Sequence, residues 1–189
     1  MTIVVENIKI GEYLLTFEGT LEDYYKLEEK KAEYIDGIII MHSPASVTHE
    51  RNFVEILTRL NLFVKSNSLG EVLGSKLAIA IGDRRFEPDI VFISRDNSGK
   101  FGEFEFFGTP DLVVEIISKS TKHYDLKIKR EFYGEHKIPE IWFVDYNEKI
   151  FIADILKSRG YETVEINDGM YESAVLKGFK LILWDDLGL

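Results

Sequence analysis

Apolar positions along this chain recur either at helical spacing or in continuous and alternating runs, the marks of helix and strand. Residues 20–31, TLEDYYKLEEKK, start with Thr20 and Asp23 in a Thr-x-x-Asp pattern and continue in polar helix formers, which predicts a short helix. Glu33 to Met41 is apolar on both sides of Asp36-Gly37, a dipeptide that predicts a tight hairpin turn. From Ser46 to Lys65, residues such as Phe53, Ile56, Leu57, Leu60 and Phe63 fall at helical spacing, and the Ser66–Gly70 segment ends that helix. Glu71–Ile81 and Phe86–Ser94 read as two strands joined by Gly82-Asp83-Arg84-Arg85. Residues 95–107 show no defined element. Leu112–Ile117 is a buried strand, followed by a Ser/Thr-rich bend at Ser118–Thr121 and a second helix over about 122–134. Gly134 stands where a C-terminal cap belongs. Ile141–Val144 is the next buried strand.

A strand reached from its predecessor through a helix is expected to lie parallel to it, so the middle of the chain reads as an α/β (α+β) core. Beyond Asp145, short runs at Ile150–Leu156, Tyr161–Ile166, Ala174–Leu176 and Leu181–Trp184 are punctuated by Gly160, Gly169 and Gly178. The expected organisation is one domain over 1–189, with a core of about 31–146, an N-terminal hairpin and a β-rich extension of about 147–189. At 189 residues the chain is long enough to bury a core.

Charge and composition narrow the function. The 33 acidic residues against 23 basic ones give a formal net charge of -10, which counts against a surface coated in positive potential. The absence of cysteine removes disulfides and thiolate zinc sites and suits a reducing cytoplasm. The N-terminal MTIVVENIKIGEYLL has neither a basic start nor an unbroken apolar run, and no stretch of 18 apolar residues occurs, so neither export nor a membrane span is expected. No phosphate loop, dinucleotide fingerprint or Gly-x-Ser-x-Gly elbow is present, and the histidines at 42, 49, 123 and 136 lack zinc-type spacing.

What remains are carboxylates. Glu115 interrupts an aliphatic strand, where a charge must be paired with a basic side chain or a cation. Asp89 follows Pro88 at the start of another apolar run and shares a strand face with Val91 and Ile93, as Glu115 does with Val113 and Ile117. Asp89 also fits a turn-stabilising role. Two carboxylates on neighbouring strands suit a hard divalent cation, which takes one or two carboxylates and keeps waters. Asp125, Lys129 and Tyr133 recur at i, i+4 and i+8 and so share one face of the second helix. Lys129 is there either an ordinary helix pair with Asp125 or a group that orients water and offsets phosphoryl charge. His49 and Glu50, at the start of the long helix, are candidates for a further ligand or base, although capping also explains His49. Glu33, just before the hairpin turn, is similarly open.

These residues together resemble the Uma2 family, restriction-endonuclease-like proteins of the PD-(D/E)xK nuclease superfamily. The resemblance runs over about residues 20–180 and is carried by Glu33-Tyr34-Ile35-Asp36-Gly37, Ser43-Pro44 with His49, Pro88-Asp89, and Pro110-Asp111-Leu112-Val113-Val114-Glu115. It continues through Ser118, Ser120-Thr121, Asp125 with Lys129 and Tyr133, and Glu140-Ile141-Trp142-Phe143-Val144-Asp145. The resemblance implies a mixed sheet flanked by helices, a Mg²⁺ or Mn²⁺ ion held by Asp89 and Glu115, and an endonuclease acting on DNA. The superfamily's lysine two residues after the glutamate is here Ile117, and Lys129 matches the family's helical lysine instead. Glu33 and Glu50 both remain candidates for a further acid. The displaced lysine and the net charge leave two other readings open: a non-catalytic binding or scaffold protein on the nuclease fold, or a hydrolase of RNA or another phosphate compound. Residues 115–137 carry six basic and four acidic residues, so DNA binding is expected to be modest and salt-dependent. A homodimer is compatible with a double-strand cut.

Overall fold

The computed structural model describes residues 14–27, 31–74 and 76–184. Residues 28–30 of the first expected helix and residues 1–13 of the N-terminal segment lie outside them. The first part of the chain forms β1 (Leu15–Glu18), α1 (Leu21–Tyr25), β2 (Ala32–Ile35), β3 (Ile38–Met41) and α2 (Val47–Ser66). Thr20 caps α1 in a reciprocal box with Asp23, as the spacing predicts, but the helix ends after Tyr25. Asp36 and Gly37 both adopt positive φ, 48° and 89°, which is the turn that matches the twist of a two-residue hairpin.

The two expected strands of the next segment are each divided. Glu71–Ile81 becomes β4 (Gly70–Gly74) and β5 (Ala78–Ile81), and Phe86–Ser94 becomes β7 (Ile90–Ser94), with β6 (Arg84–Phe86) formed partly from the expected connection. β5 and β6 pair in one sheet while β4 and β7 pair in another, so the hairpin changes sheet after β4 on one arm and before β7 on the other. Residues 95–107, expected to lack structure, contribute β8 (Lys100–Phe101) and β9 (Glu105–Phe107).

β10 (Leu112–Ile116) leads through a π-helical stretch (Tyr124–Lys129) and α3 (Arg130–Glu135) to β11 (Glu140–Asp145). β10 and β11 are parallel, as the crossover requires. Gly134 lies inside α3, and the left-handed residue that ends the helix region is Lys137, at φ 54°. β12 (Ile150–Lys157), β13 (Gly160–Ile166), β14 (Met170–Glu172) and β15 (Lys180–Ile182) complete the described chain. The expected strand at Ala174–Leu176 is instead the loop between β14 and β15.

The strand orders are β1-β3-β2-β6-β5-β9-β8 in the first sheet and β13-β12-β11-β10-β7-β4 in the second. Alternation sorts the second sheet's residues to two cores. Ile90, Phe92, Leu112, Val114, Trp142 and Val144 pack with Ile56, Leu60 and Val64 of α2 and with the C-terminal hairpin. Val91, Ile93, Val113, Ile117, Ile141 and Phe143 pack with Tyr124, Phe132 and Tyr133 and with the first sheet. Glu115 has the parity of the second set. Its carboxylate is therefore held between the two sheets and the crossover helix, where the cores end at a cleft. No helix among the described residues is long and apolar enough to cross a membrane.

Candidate active site

β7 and β10 run antiparallel with Ile90 opposite Val114, which leaves Asp89 just beyond the end of β7 and beside Glu115. Pro88 cannot donate to a sheet ladder, so the strand begins after it. Asp89 is buried, and its Oδ2 accepts a hydrogen bond from the Ile116 backbone N–H at 2.8 Å. His49 Nε2, from the first turn of α2, lies 3.2 Å from the same oxygen, and Lys31 Nζ donates to Oδ1 at 3.3 Å. Burial pushes the Asp89 carboxyl upward, but the His49 hydrogen bond and the Lys31 charge outweigh it and hold Asp89 well below the usual carboxylate range.

Lys129 is the centre of the neighbouring cluster. It is 2% exposed, with Nζ at 3.0 Å from Glu115 Oε1, 3.0 Å from Glu33 Oε1 and 3.7 Å from Asp125 Oδ1. The wider π-helical turn places both Tyr124 and Asp125 against Lys129, whose ammonium lies 5.5 Å from the Tyr124 ring centre. Tyr133 OH donates to Glu115 Oε1 at 2.5 Å, and Tyr124 OH donates to Glu33 Oε2 at 2.6 Å. Glu33 Oε1 also accepts from the Glu87 backbone N–H at 2.7 Å, and His42 Nε2 lies 3.0 Å from Glu33 Oε2.

One ammonium cannot neutralise three carboxylates. Burial would raise Glu33, but Lys129 and His42 outweigh it and hold Glu33 far below its usual range. Burial raises Glu115 to about 8 against the pull of Lys129, with Asp125, Asp89 and Glu33 adding to the rise. Burial likewise raises Asp125 to about 6 against Lys129 and a hydrogen bond from Thr121. For Lys129 itself burial is outweighed by Glu115, Glu33 and Asp125, so it stays protonated. Glu115 is thus the buried acid left short of positive charge.

Asp89, Glu115 and Lys129 lie in the wall of an open cleft of about 730 Å³. Its rim comes from the Ser43–Ser46 loop, the first turn of α2 with His49 and Glu50, the Ser118–Thr121 bend, and Tyr146 with Asn147. The cleft could hold a divalent cation, because the oxygen-donor acids Asp89 and Glu115 line it together with Asp125 and Glu50, and Glu115 lacks a cationic partner of its own. No group of three or more ligating side chains stands in metal-binding geometry among the described residues. That donor set fits Mg²⁺ or Mn²⁺, which take one or two carboxylates and retain water, better than a closed zinc site.

The structure brings Asp89, Glu115, Lys129, Glu33, Asp125, Tyr133 and His49 together, with Glu33 against Lys129 and the side chain of Glu50 more than half exposed on the rim. Lys31, Tyr124 and His42 join them without having been singled out in the sequence. Lys31 carried one signal: it stands two residues before Glu33, so alternation into β2 puts both on one side. Asp111, in the second Pro-Asp pair, lies elsewhere and accepts from Ser94 N–H and Asn97 Nδ2. The basic excess of residues 115–137 is largely neutralised within the molecule, since Lys129 is buried among acids, Lys122 pairs with Asp145 and Arg130 with Asp154.

The Uma2 family model, described as putative restriction endonuclease, matches residues 21–183. The chain belongs to the Uma2 family. Every residue of the cluster falls inside the matched span, and that description makes this Uma2 chain a relative of nuclease-class proteins. Among solved structures it is similar to a putative nuclease belonging to DUF820 from Anabaena variabilis ATCC 29413, at 22% identity and a TM-score of 0.73. The likeness covers 90% of the Uma2 chain and 98% of the other, and it shows a shared fold. No curated protein matches.

Proposed function

We propose that this Uma2 protein is a metal-dependent endonuclease that hydrolyses DNA phosphodiester bonds. The observation that carries the reading is a pair of buried acids, Asp89 and Glu115, in the wall of an open cleft, with a buried lysine beside them and more carboxylate than cation around it. Asp89 and Glu115 are the residues that would hold Mg²⁺ or Mn²⁺. When bound, the ion supplies Lewis-acid stabilisation of phosphoryl charge and a more acidic water.

The chain's own groups do the rest. Lys129 directs a fixed ammonium toward Glu115, where it orients a nucleophilic water and offsets charge developing on the phosphate. It is not a proton acceptor, because its carboxylate neighbours keep it charged. Glu33 and Tyr133 fix that geometry from behind, Glu33 by pairing with Lys129 and Tyr133 by donating to Glu115. His49 and Lys31 orient Asp89. Lys119 and the hydroxyls of Ser118 and Ser120 line the cleft where a phosphate backbone would pass. With a net charge of -10, binding to DNA is modest and falls steeply with added salt. A second copy of the chain supplies the second cut of a duplex.

Incubation of the full chain with supercoiled plasmid and Mg²⁺ or Mn²⁺ tests this reading. Nicked or linear product is expected, absent in chelator and absent in Glu115→Ala. A parallel arm with single-stranded RNA decides the polymer, and cleavage of RNA alone would overturn the DNA assignment.

A further inference from the structure

A second cavity, of about 720 Å³, lies apart from the cleft and shares no lining residue with it among the described residues. β2 separates the two: successive residues of a strand face opposite ways, so Ala32 lines the second pocket while Glu33 faces Lys129. The walls of this pocket are aromatic, formed by Tyr24, Tyr25, Phe104 and Phe107. Phe104 is 73% exposed and Phe107 47%, an unusual placement for two large apolar rings on one short segment.

Two acids in the pocket differ in their state. Glu105 is satisfied, since Arg85 Nε donates to Oε1 at 2.8 Å and Tyr25 OH donates to Oε2 at 3.1 Å, and this pair also neutralises Arg85. Glu87 is not. It is 6% exposed, it lines the pocket, and its Oε2 has no hydrogen-bond partner. A buried carboxylate oxygen without a donor is costly, and a donor arriving with a ligand removes that cost. Among the described residues the remaining charges on the walls are Glu103 and the exposed rim residue Lys76, and Lys31 and Lys129 act on Glu87 from outside the pocket.

We propose that this pocket binds a small organic amine, its ammonium directed at Glu87 and its apolar stem lying among Tyr25, Phe104 and Phe107. Aromatic faces attract cations and carry the apolar stem, and the carboxylate selects an ammonium over a neutral isostere. Glu87 also stands between this pocket and the cleft, since its backbone N–H donates to Glu33, the partner of Lys129. The site does not depend on the nuclease reading, and loss of cleavage in a Glu115 variant leaves it untouched.

Titration of the full ¹⁵N-labelled chain with phenethylammonium chloride, and separately with neutral 2-phenylethanol, tests the proposal by amide chemical shifts. The expected result is shift changes centred on residues 87 and 103–107, and an amine dissociation constant at least tenfold tighter than that of the alcohol. Glu87→Gln removes that preference, and Phe104→Ala, a change at an exposed ring, weakens the amine several-fold while the spectrum stays dispersed. Equal affinity for amine and alcohol, shifts confined to Asp89, Glu115 and Ile116, or undiminished binding by Phe104→Ala would overturn it.

Discussion

Glu140 and Glu115 are both buried glutamates on adjacent parallel strands, yet they stand in opposite electrostatic situations. Glu140, at the start of β11, accepts from Trp142 Nε1, Tyr171 OH, Ser173 Oγ and the backbone N–H groups of Ala174 and Val175, at 2.6–3.1 Å. No ion pair to Glu140 occurs among the described residues, so its charge is spread over five neutral dipoles. Those dipoles come mainly from the loop between β14 and β15, and the carboxylate ties that hairpin to the core. Glu115, at the far end of β10, accepts from Lys129 and Tyr133, and it shares the lysine with Glu33 and Asp125. A carboxylate surrounded by donors fastens structure. One that competes for a single cation beside an open cleft is arranged for something that arrives from outside.

The sharpest break of this contrast is Glu140→Ala, which leaves five donors without their acceptor. Unpaired buried polar groups cost about 1–3 kcal/mol each, so even partial rehydration leaves a loss of at least about 4 kcal/mol, read by guanidinium unfolding. Lys129→Met follows: it takes the ammonium away from Glu33, Glu115 and Asp125, and breaking a buried charge pair costs about 3–5 kcal/mol. Its unfolding midpoint falls, and adding Glu115→Gln restores part of the loss because the two residues are coupled. Tyr171→Phe removes one donor of five from Glu140, with an expected cost of about 1.5–3 kcal/mol and no change in plasmid cleavage per folded molecule. Smallest of all in stability is Glu115→Gln, which replaces an acid that burial already holds mostly protonated near neutral pH with its neutral isostere; the unfolding free energy stays within about 1 kcal/mol of the parent.

Much of this arrangement was legible in the sequence. Two apolar strands joined by a helix implied parallel β10 and β11, and strand alternation put Asp89 and Glu115 on converging faces. The helical repeat of Asp125, Lys129 and Tyr133 announced a common face, and the structure places all three around Glu115 or Lys129. What was hidden has physical reasons. The polar residues at the change of sheet, Lys76, Glu87 and Asp89, also fit the solvent-facing positions of a continuous strand, so the sequence alone did not mark them as breaks. A π-helical turn depends on packing rather than on residue pattern, and without it Tyr124 could not be assigned to the Lys129 side. The loop at Ala174–Leu176 looks like a strand because it is apolar, yet its backbone N–H groups are taken by Glu140, a partner distant in sequence. Glu33 and Glu50 could be separated only by position, since one is buried at Lys129 and the other faces solvent on the rim.

Plasmid cleavage and guanidinium unfolding, measured side by side on Glu115→Gln, separate an acid that serves the cleft from one that fastens the fold. Cleavage is expected to fall by roughly a thousandfold, the scale of losing a positioned electrostatic group, with the unfolding midpoint unchanged or raised. Cleavage at the parent rate, or a loss of several kcal/mol with the fold disrupted, would contradict a role in the cleft by making Glu115 a second Glu140.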